Sequence, residues 1–156
     1  HYQRLTKQAV ALNESETDLT ANLANISSLL FMELDELNWA GFYLMKQDQA
    51  KEKDELVLGP FQGQPACVRI PVGRGVCGTA VATNTVQRIH DVHEFEGHIA
   101  CASSTRSELV IPVQNNAGRL IGVLDIDSEN YSRFDEYDQQ GLEAIVKAFE
   151  QNQAAK

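Results

Sequence analysis

Three cysteines, Cys67, Cys77 and Cys101, stand in one half of a 156-residue chain, each among glycine, proline or small polar residues. A cysteine that only fills a core behaves as a small hydrophobe and sits among Val, Leu and Ile. These instead read Gly63-Gln64-Pro65-Ala66-Cys67, Gly73-Arg74-Gly75-Val76-Cys77-Gly78 and His98-Ile99-Ala100-Cys101-Ala102-Ser103-Ser104. Such segments suit loops, where reactive groups are presented by a rigid scaffold. The expected chemistry is that of thiols: nucleophilic attack, oxidation and disulfide exchange. An odd cysteine count, in a chain that opens on polar and basic residues rather than an apolar signal core, argues for free thiols over a disulfide framework.

Carboxylates form a second constellation. Asp125 and Asp127 lie two positions apart in an otherwise apolar strand, so both side chains share one face while Leu124 and Ile126 take the other. In a cleft, that pair would attract an ammonium group; with Glu108 nearby, like-charge repulsion would raise the carboxyl pKa values. The plainer reading is a solvated strand end, which fits Asp127 better than Asp125. For metals, Cys67, Cys77, Cys101, His90, His93 and His98 include enough sulfur and nitrogen for tetrahedral zinc. Their spacing opposes it: successive cysteines are ten and twenty-four residues apart, with no Cys-x-x-Cys or His-x-x-x-His cluster. No metal is expected.

The elements that would position these groups follow from periodicity. Leu19, Leu23, Ile26, Leu30, Leu34 and Leu37 fall at steps of three and four, one face of an amphipathic helix over about Asp18 to Leu37, with Ser15 or Thr17 available as a cap. A strand follows at Trp39 to Met45, with Trp39, Gly41, Tyr43 and Met45 on one side and Phe42 and Leu44 on the other. Lys46 to Glu55 reads as an exposed loop. Strands are expected at Leu56 to Leu58, Ala66 to Ile70 and Val86 to Ile89, and a short helix at Val76 to Ala82. Two apolar strands, Leu109 to Val113 and Leu120 to Ile126, join through the turn Asn115-Asn116-Ala117-Gly118. A last helix opens near Asp135 and carries Leu142, Ile145, Val146 and Phe149. Polar, irregular sequence between Gln87 and Arg106 is long enough for a lid or binding segment. The order predicts an α+β fold of one domain, residues 1–156, with a central antiparallel sheet of five or six strands and the N- and C-terminal helices on one face.

Composition narrows the partners. The formal charge is −9, with 43% hydrophobic and 22% charged residues, and no cluster of Lys and Arg traces a phosphate backbone. Nucleic acid and anionic membranes are poor partners, no apolar run approaches a membrane span, and a cytoplasmic location is expected. The terminal helices suit a homodimer as well as packing on their own sheet.

With that order in hand, the phrases Asn38-Trp39-Ala40-Gly41-Phe42-Tyr43, Gly59-Pro60-Phe61-Gln62-Gly63, Cys67-Val68-Arg69-Ile70-Pro71, Gly73-Arg74-Gly75-Val76-Cys77-Gly78-Thr79-Ala80, His98-Ile99-Ala100-Cys101, Ser107-Glu108 and Gly122-Val123-Leu124-Asp125-Ile126-Asp127-Ser128 resemble the free methionine-(R)-sulfoxide reductases, enzymes of the GAF fold. The resemblance runs from about Leu19 to Phe149. It implies that Cys101 is the nucleophile, that Cys67 or Cys77 resolves it, with Cys67 favoured, and that thioredoxin returns the electrons without a tightly bound cofactor. It also implies free L-methionine-(R)-sulfoxide as substrate and an aromatic wall of Trp39 and Tyr43 against the substrate's methyl and methylene groups.

That chemistry has stated needs. A thiolate attacks the sulfoxide sulfur while the oxygen, otherwise a poor leaving group, takes a proton. Glu108, seven residues after Cys101, would supply it if an apolar pocket keeps it protonated. Asp125 and Asp127 would hold the ammonium that a peptide-bound methionine lacks, and the turn Gly73-Arg74-Gly75 would offer N–H donors to the carboxylate. The resulting Cys101 sulfenic acid would condense with a second thiol. The alternative is a GAF module that binds a small molecule and catalyses nothing.

Overall fold

A computed structural model describes residues 1–48, 53–99, 101 and 103–154. Their elements run α1 (Tyr2–Asn13), α2 (Leu19–Glu33), β1 (Trp39–Asp48), β2 (Lys53–Gly63), β3 (Arg69–Pro71), α3 (Gly75–Thr83), β4 (Gln87–Ile89), a 3-10 turn (Val92–Glu94), β5 (Ser107–Gln114), β6 (Leu120–Ser128) and α4 (Glu136–Ala154). Among the described residues the strands form one sheet in the order β3-β2-β1-β6-β5-β4, every pair antiparallel. The expected α+β arrangement with antiparallel strands holds.

Alternation along the strands sorts the core into two layers. Ala40 and Phe42 of β1, Leu124 and Ile126 of β6, and Leu109 and Ile111 of β5 pack with Leu23, Ile26 and Leu30 of α2 and Leu142, Ile145 and Phe149 of α4. The opposite face gathers Trp39 and Tyr43, Val123 and Val110 with Val76, Cys77, Ala80 and Val81 of α3. Leu124, Ile126 and Leu109 have no exposed surface, and truncating such a residue to Ala costs about 2–5 kcal/mol. The site therefore rests on a sheet clamped from behind by two helices.

Several expectations shift. The helix begins one residue later than expected because Asp18 itself caps it, its carboxylate accepting from Ala21 N at 2.8 Å. It ends at Glu33, with Leu34 already extended. The exposed loop expected at Lys46 to Glu55 is instead strand on both sides: β1 runs to Asp48 and β2 starts at Lys53, paired through Lys46↔Glu55 and Asp48↔Lys53. Residues 49–52 of that loop lie outside the described residues. Cross-strand pairing overrode the polar composition, as it can at the end of a hairpin. β2 also continues through Gly59-Pro60 to Gly63, with a register shift between Gly41 and Tyr43 that absorbs the proline. β3 begins at Arg69 rather than Ala66, so Cys67 lies before it. No element was expected before Asp18, yet α1 packs on α2 and α4, and its Tyr2 hydroxyl donates to Asp138 at 2.7 Å.

The β5–β6 turn is as expected. Asn115 Oδ1 accepts from Ala117 N and Arg119 N, each at 3.0 Å, and Gly118 takes the left-handed φ of 78° that the turn requires.

Candidate active site

Register aims the acidic residues. Trp39 of β1 pairs with Asp127 of β6, which pairs with Glu108 of β5; one row along, Gly41 pairs with Asp125, which pairs with Val110. All these positions face α3, so Glu108, Asp125 and Asp127 share one wall of a cavity of about 40 Å³. Trp39, Tyr43 and Ile70 form another wall, the first turn of α3 supplies Gly75, Val76 and Cys77, and the loop before β5 supplies His98, Ile99, Cys101 and Thr105. The three carboxyl groups are only 7%, 5% and 8% exposed. No Lys or Arg lines the cavity among the described residues.

Burying three carboxyls without a cation has a definite electrostatic result. Desolvation pushes all three well above the usual carboxylate range, and their neighbours push further: Asp125 acts on Glu108, Asp127 on Asp125, and Glu108 on Asp127. The Oδ1 atoms of Asp125 and Asp127 are buried and have no hydrogen-bond partner. Such orphaned acceptors are costly unless something else satisfies them.

The thiols are divided. Cys67, between β2 and β3, is bonded to Cys101, with a Cα separation of 5.2 Å that lies within the ordinary bridging range. Of the two candidate partners for Cys101, Cys67 is the one joined to it. Cys77 is free and buried, and its thiol lies 3.9 Å from Glu108 Oε2. Burial, and then Asp125 and Glu108, push that thiol upward, so it stays protonated near neutral pH and is a poor nucleophile.

Trp39 and Tyr43 are buried and stacked, ring centroids 5.8 Å apart, and Phe61 stacks on the far side of Trp39 at 5.1 Å. Gly41 makes this packing feasible: a Cβ there would fall 2.3 Å from Phe61 Cβ. Both polar tips engage backbone, Trp39 Nε1 donating to Gln64 O at 3.1 Å and Tyr43 Oη to Cys67 O at 2.8 Å. Composition carries no trace of these side-chain to backbone bonds. Asn38 was also missed; its Nδ2 donates to Thr105 Oγ1 at 3.0 Å, tying the segment after Cys101 to the start of β1.

Gln87 to Arg106 is less irregular than expected, since β4 and the 3-10 turn occupy part of it. The turn is anchored by buried Val92, whose N–H donates to Arg106 O at 2.9 Å, and is capped by Asp91. Ala100 and Ala102 lie outside the described residues. The zinc set considered from sequence does not assemble: His90 and His93 are exposed and face Glu94 and Asp91, while Cys67 and Cys101 are bonded to each other. Among the described residues, the one group that could bring ligand atoms within 4.8 Å of one another is Cys77, Glu108 and Asp125.

Residues 17–152 match the GAF domain family. A free methionine-R-sulfoxide reductase of Escherichia coli is 56% identical over 151 residues, covering 96% of this chain and 86% of that protein. Two solved structures superpose closely. The reduced form of fRMsr from Staphylococcus aureus has a TM-score of 0.91 and 51% identity, covering 99% of this chain and 96% of that one. The free methionine-R-sulfoxide reductase from Neisseria meningitidis, in complex with its substrate, has a TM-score of 0.90 and 45% identity, covering 99% and 89%.

Proposed function

The chain belongs to the GAF domains and, among them, to the free methionine-R-sulfoxide reductases, and from that premise we propose that it reduces free L-methionine-(R)-sulfoxide to methionine. The observation that carries this reading is the adjoining of a disulfide between two loop cysteines to three buried carboxyl groups with no cationic side chain beside them. A substrate ammonium satisfies the unpartnered Oδ1 atoms of Asp125 and Asp127. An anion such as a nucleotide phosphate would find no Lys or Arg to pair with there among the described residues.

In the reduced enzyme, Cys101 attacks the sulfoxide sulfur as a thiolate. Glu108, held protonated by burial, gives its proton to the sulfoxide oxygen. The S–O bond to the substrate breaks, methionine leaves, and Cys101 carries the oxygen as a sulfenic acid. The Cys67 thiol then attacks that sulfur; an S–S bond forms, the remaining S–O bond breaks, and water departs with the thiol proton. The disulfide between Cys67 and Cys101 is the end state of this sequence. Trp39 and Tyr43 flank the hydrophobic part of the substrate, and the first turn of α3, whose N–H groups have no acceptors within their own helix, faces its carboxylate.

Two electrons then restore the thiols. A dithiol protein such as thioredoxin supplies them by exchange at the disulfide, in a reducing compartment such as the cytoplasm. Among the described residues, no helix is long and apolar enough to cross a membrane.

The test is stoichiometric. Fully reduced protein mixed with one equivalent of the free (R)-sulfoxide should yield close to one equivalent of methionine, with Cys67–Cys101 as the new disulfide in a peptide map. Methionine without that disulfide would remove Cys67 from the sequence of steps; no methionine would leave a small-molecule-binding GAF module.

A further inference from the structure

Trp39 and Tyr43 point into the same layer of the site from one face of β1, with Gly41 between them. Beyond forming a wall, each directs its only polar atom to the backbone of the segment that carries Cys67. Trp39 Nε1 reaches Gln64 O at 3.1 Å and Tyr43 Oη reaches Cys67 O at 2.8 Å. That segment, residues 64 to 68, lies between β2 and β3 and has a single backbone tie to the sheet, Leu58 N–H donating to Val68 O at 2.8 Å. It is largely exposed, Val68 by 59%, whereas the two rings are each 2% exposed and locked by stacking. Two rigid, buried donors thus hold two carbonyls, three residues apart, of an exposed segment.

We propose that the Tyr43 hydroxyl, assisted by the Trp39 indole, is a positioning group for the resolving cysteine: it pins the backbone of Cys67 beside Cys101 and so sets how readily the disulfide closes. The step is the one in which the Cys67 thiol attacks the Cys101 sulfenic sulfur, the S–S bond forms and water leaves. Its rate and equilibrium depend on the effective concentration of one thiol at the other. An unpinned segment in the reduced protein would explore many more conformations, each further from the 5.2 Å Cα separation of the closed state. Little else fixes the Cys67 carbonyl: Pro65 limits only its own φ, the strand pairing of β3 begins at Arg69, and the one neighbouring backbone bond, from Leu58 N, goes to Val68 O. The assignment rests on the reductase reading for its purpose and on the hydrogen bonds alone for its geometry.

The test separates those two foundations. The first arm omits sulfoxide: Tyr43→Phe and the unaltered protein are equilibrated with mixtures of glutathione and glutathione disulfide, which oxidises the thiol pair to Cys67–Cys101 while two glutathiones are released. The oxidised fraction is then read by alkylation and mass spectrometry. Loss of one hydrogen bond predicts a fall in the closure constant of about two- to tenfold, with a similar fall in Trp39→Phe, which keeps a ring and loses the Gln64 contact. Tyr2→Phe, which removes a comparable buried hydrogen bond far from the site, should leave the constant unchanged. In the second arm, Tyr43→Phe mixed with the (R)-sulfoxide should accumulate a Cys101 sulfenic acid, trapped by dimedone, in larger amount than the unaltered protein. Closure constants for Tyr43→Phe and Trp39→Phe within about 1.5-fold of the unaltered protein, against the about twofold minimum above, would overturn the proposal even if methionine is formed. A fall in the constant in both variants, with no methionine formed by the unaltered protein, would uphold the positioning role and sink the reductase reading.

Discussion

At Glu108 the same burial that would keep a proton available for the proposed transfer makes the fold costly. The carboxyl is 7% exposed and shares its surroundings with Asp125 and Asp127, so its folded-state pKa is raised, first by desolvation and then by Asp125. In the proposed mechanism protonated Glu108 is the active form, and kcat should therefore fall as pH rises through that raised value; a pH–rate profile under saturating substrate checks this. Replacing Glu108 by Gln keeps shape and removes the transferable proton, so kcat should drop about 10²–10⁴-fold. Stability follows the same sign. A carboxyl with a raised folded pKa stabilises the fold fully below its unfolded pKa, and that contribution is lost as pH climbs through the folded one. Glu108→Gln and Asp125→Asn should thus flatten the decline of stability with rising pH, and at neutral pH their melting temperatures should equal or exceed that of the unaltered protein. Denaturant titrations at pH 5 and pH 8 measure both effects. Strand alternation made the shared face of Asp125 and Asp127 legible, while Glu108 was singled out by its place seven residues after Cys101 at the start of a strand. Sequence reading could not reach the roles of the Trp39 and Tyr43 polar tips or of Asn38, because their partners are backbone carbonyls and hydroxyls of distant segments.

The elements behave as hydrophobic period dictates wherever an apolar face is buried. α2, α4, β5 and β6 were legible for that reason, since Leu23, Ile26 and Leu30, or Leu142, Ile145 and Phe149, have one layer to fill. The far ends of β1 and β2 were not, because Lys46, Asp54 and Glu55 pair as strand despite polar side chains. α1 was missed although Leu5 and Ala9 are buried at helical spacing. Its polar composition hides a short stripe of Tyr2, Leu5 and Ala9, which docks on α4. The tightest element-level constraint is Gly41. Ala at this position would set a Cβ 2.3 Å from Phe61 Cβ and 2.7 Å from its Cα, so the β1–β2 pair must part and the Phe61–Trp39–Tyr43 stack must shift. A loss of about 1–3 kcal/mol is expected, with a change in Trp39 fluorescence, since Trp39 is the sole tryptophan. A variant as stable as the unaltered protein, with unchanged fluorescence, would refute this account of the stack.

For the molecule as a whole, the sheet divides labour. One face carries the core that makes the domain fold, and the other carries the cavity and α3. The disulfide joins positions 34 residues apart, bridging the segment before β3 to the loop before β5 across the cavity. Loop-closure entropy for a span of that size is worth about 3–4 kcal/mol, so the oxidised protein should melt roughly 6–16 °C above the reduced one. Cys77→Ser should leave that difference intact and Cys67→Ser should abolish it; paired calorimetry with and without a dithiol decides.

In the proposed reaction the buried carboxyls and Cys101 together reduce one epimer of one free amino acid. The most direct measurement is steady-state consumption of free L-methionine-(R)-sulfoxide with thioredoxin, its reductase and NADPH, beside the (S) epimer, a peptide-bound sulfoxide and the Cys101→Ser variant. Turnover confined to the free (R) epimer and lost on replacing Cys101 is the predicted result; equal turnover of the peptide-bound sulfoxide, or activity that survives in Cys101→Ser, would contradict it.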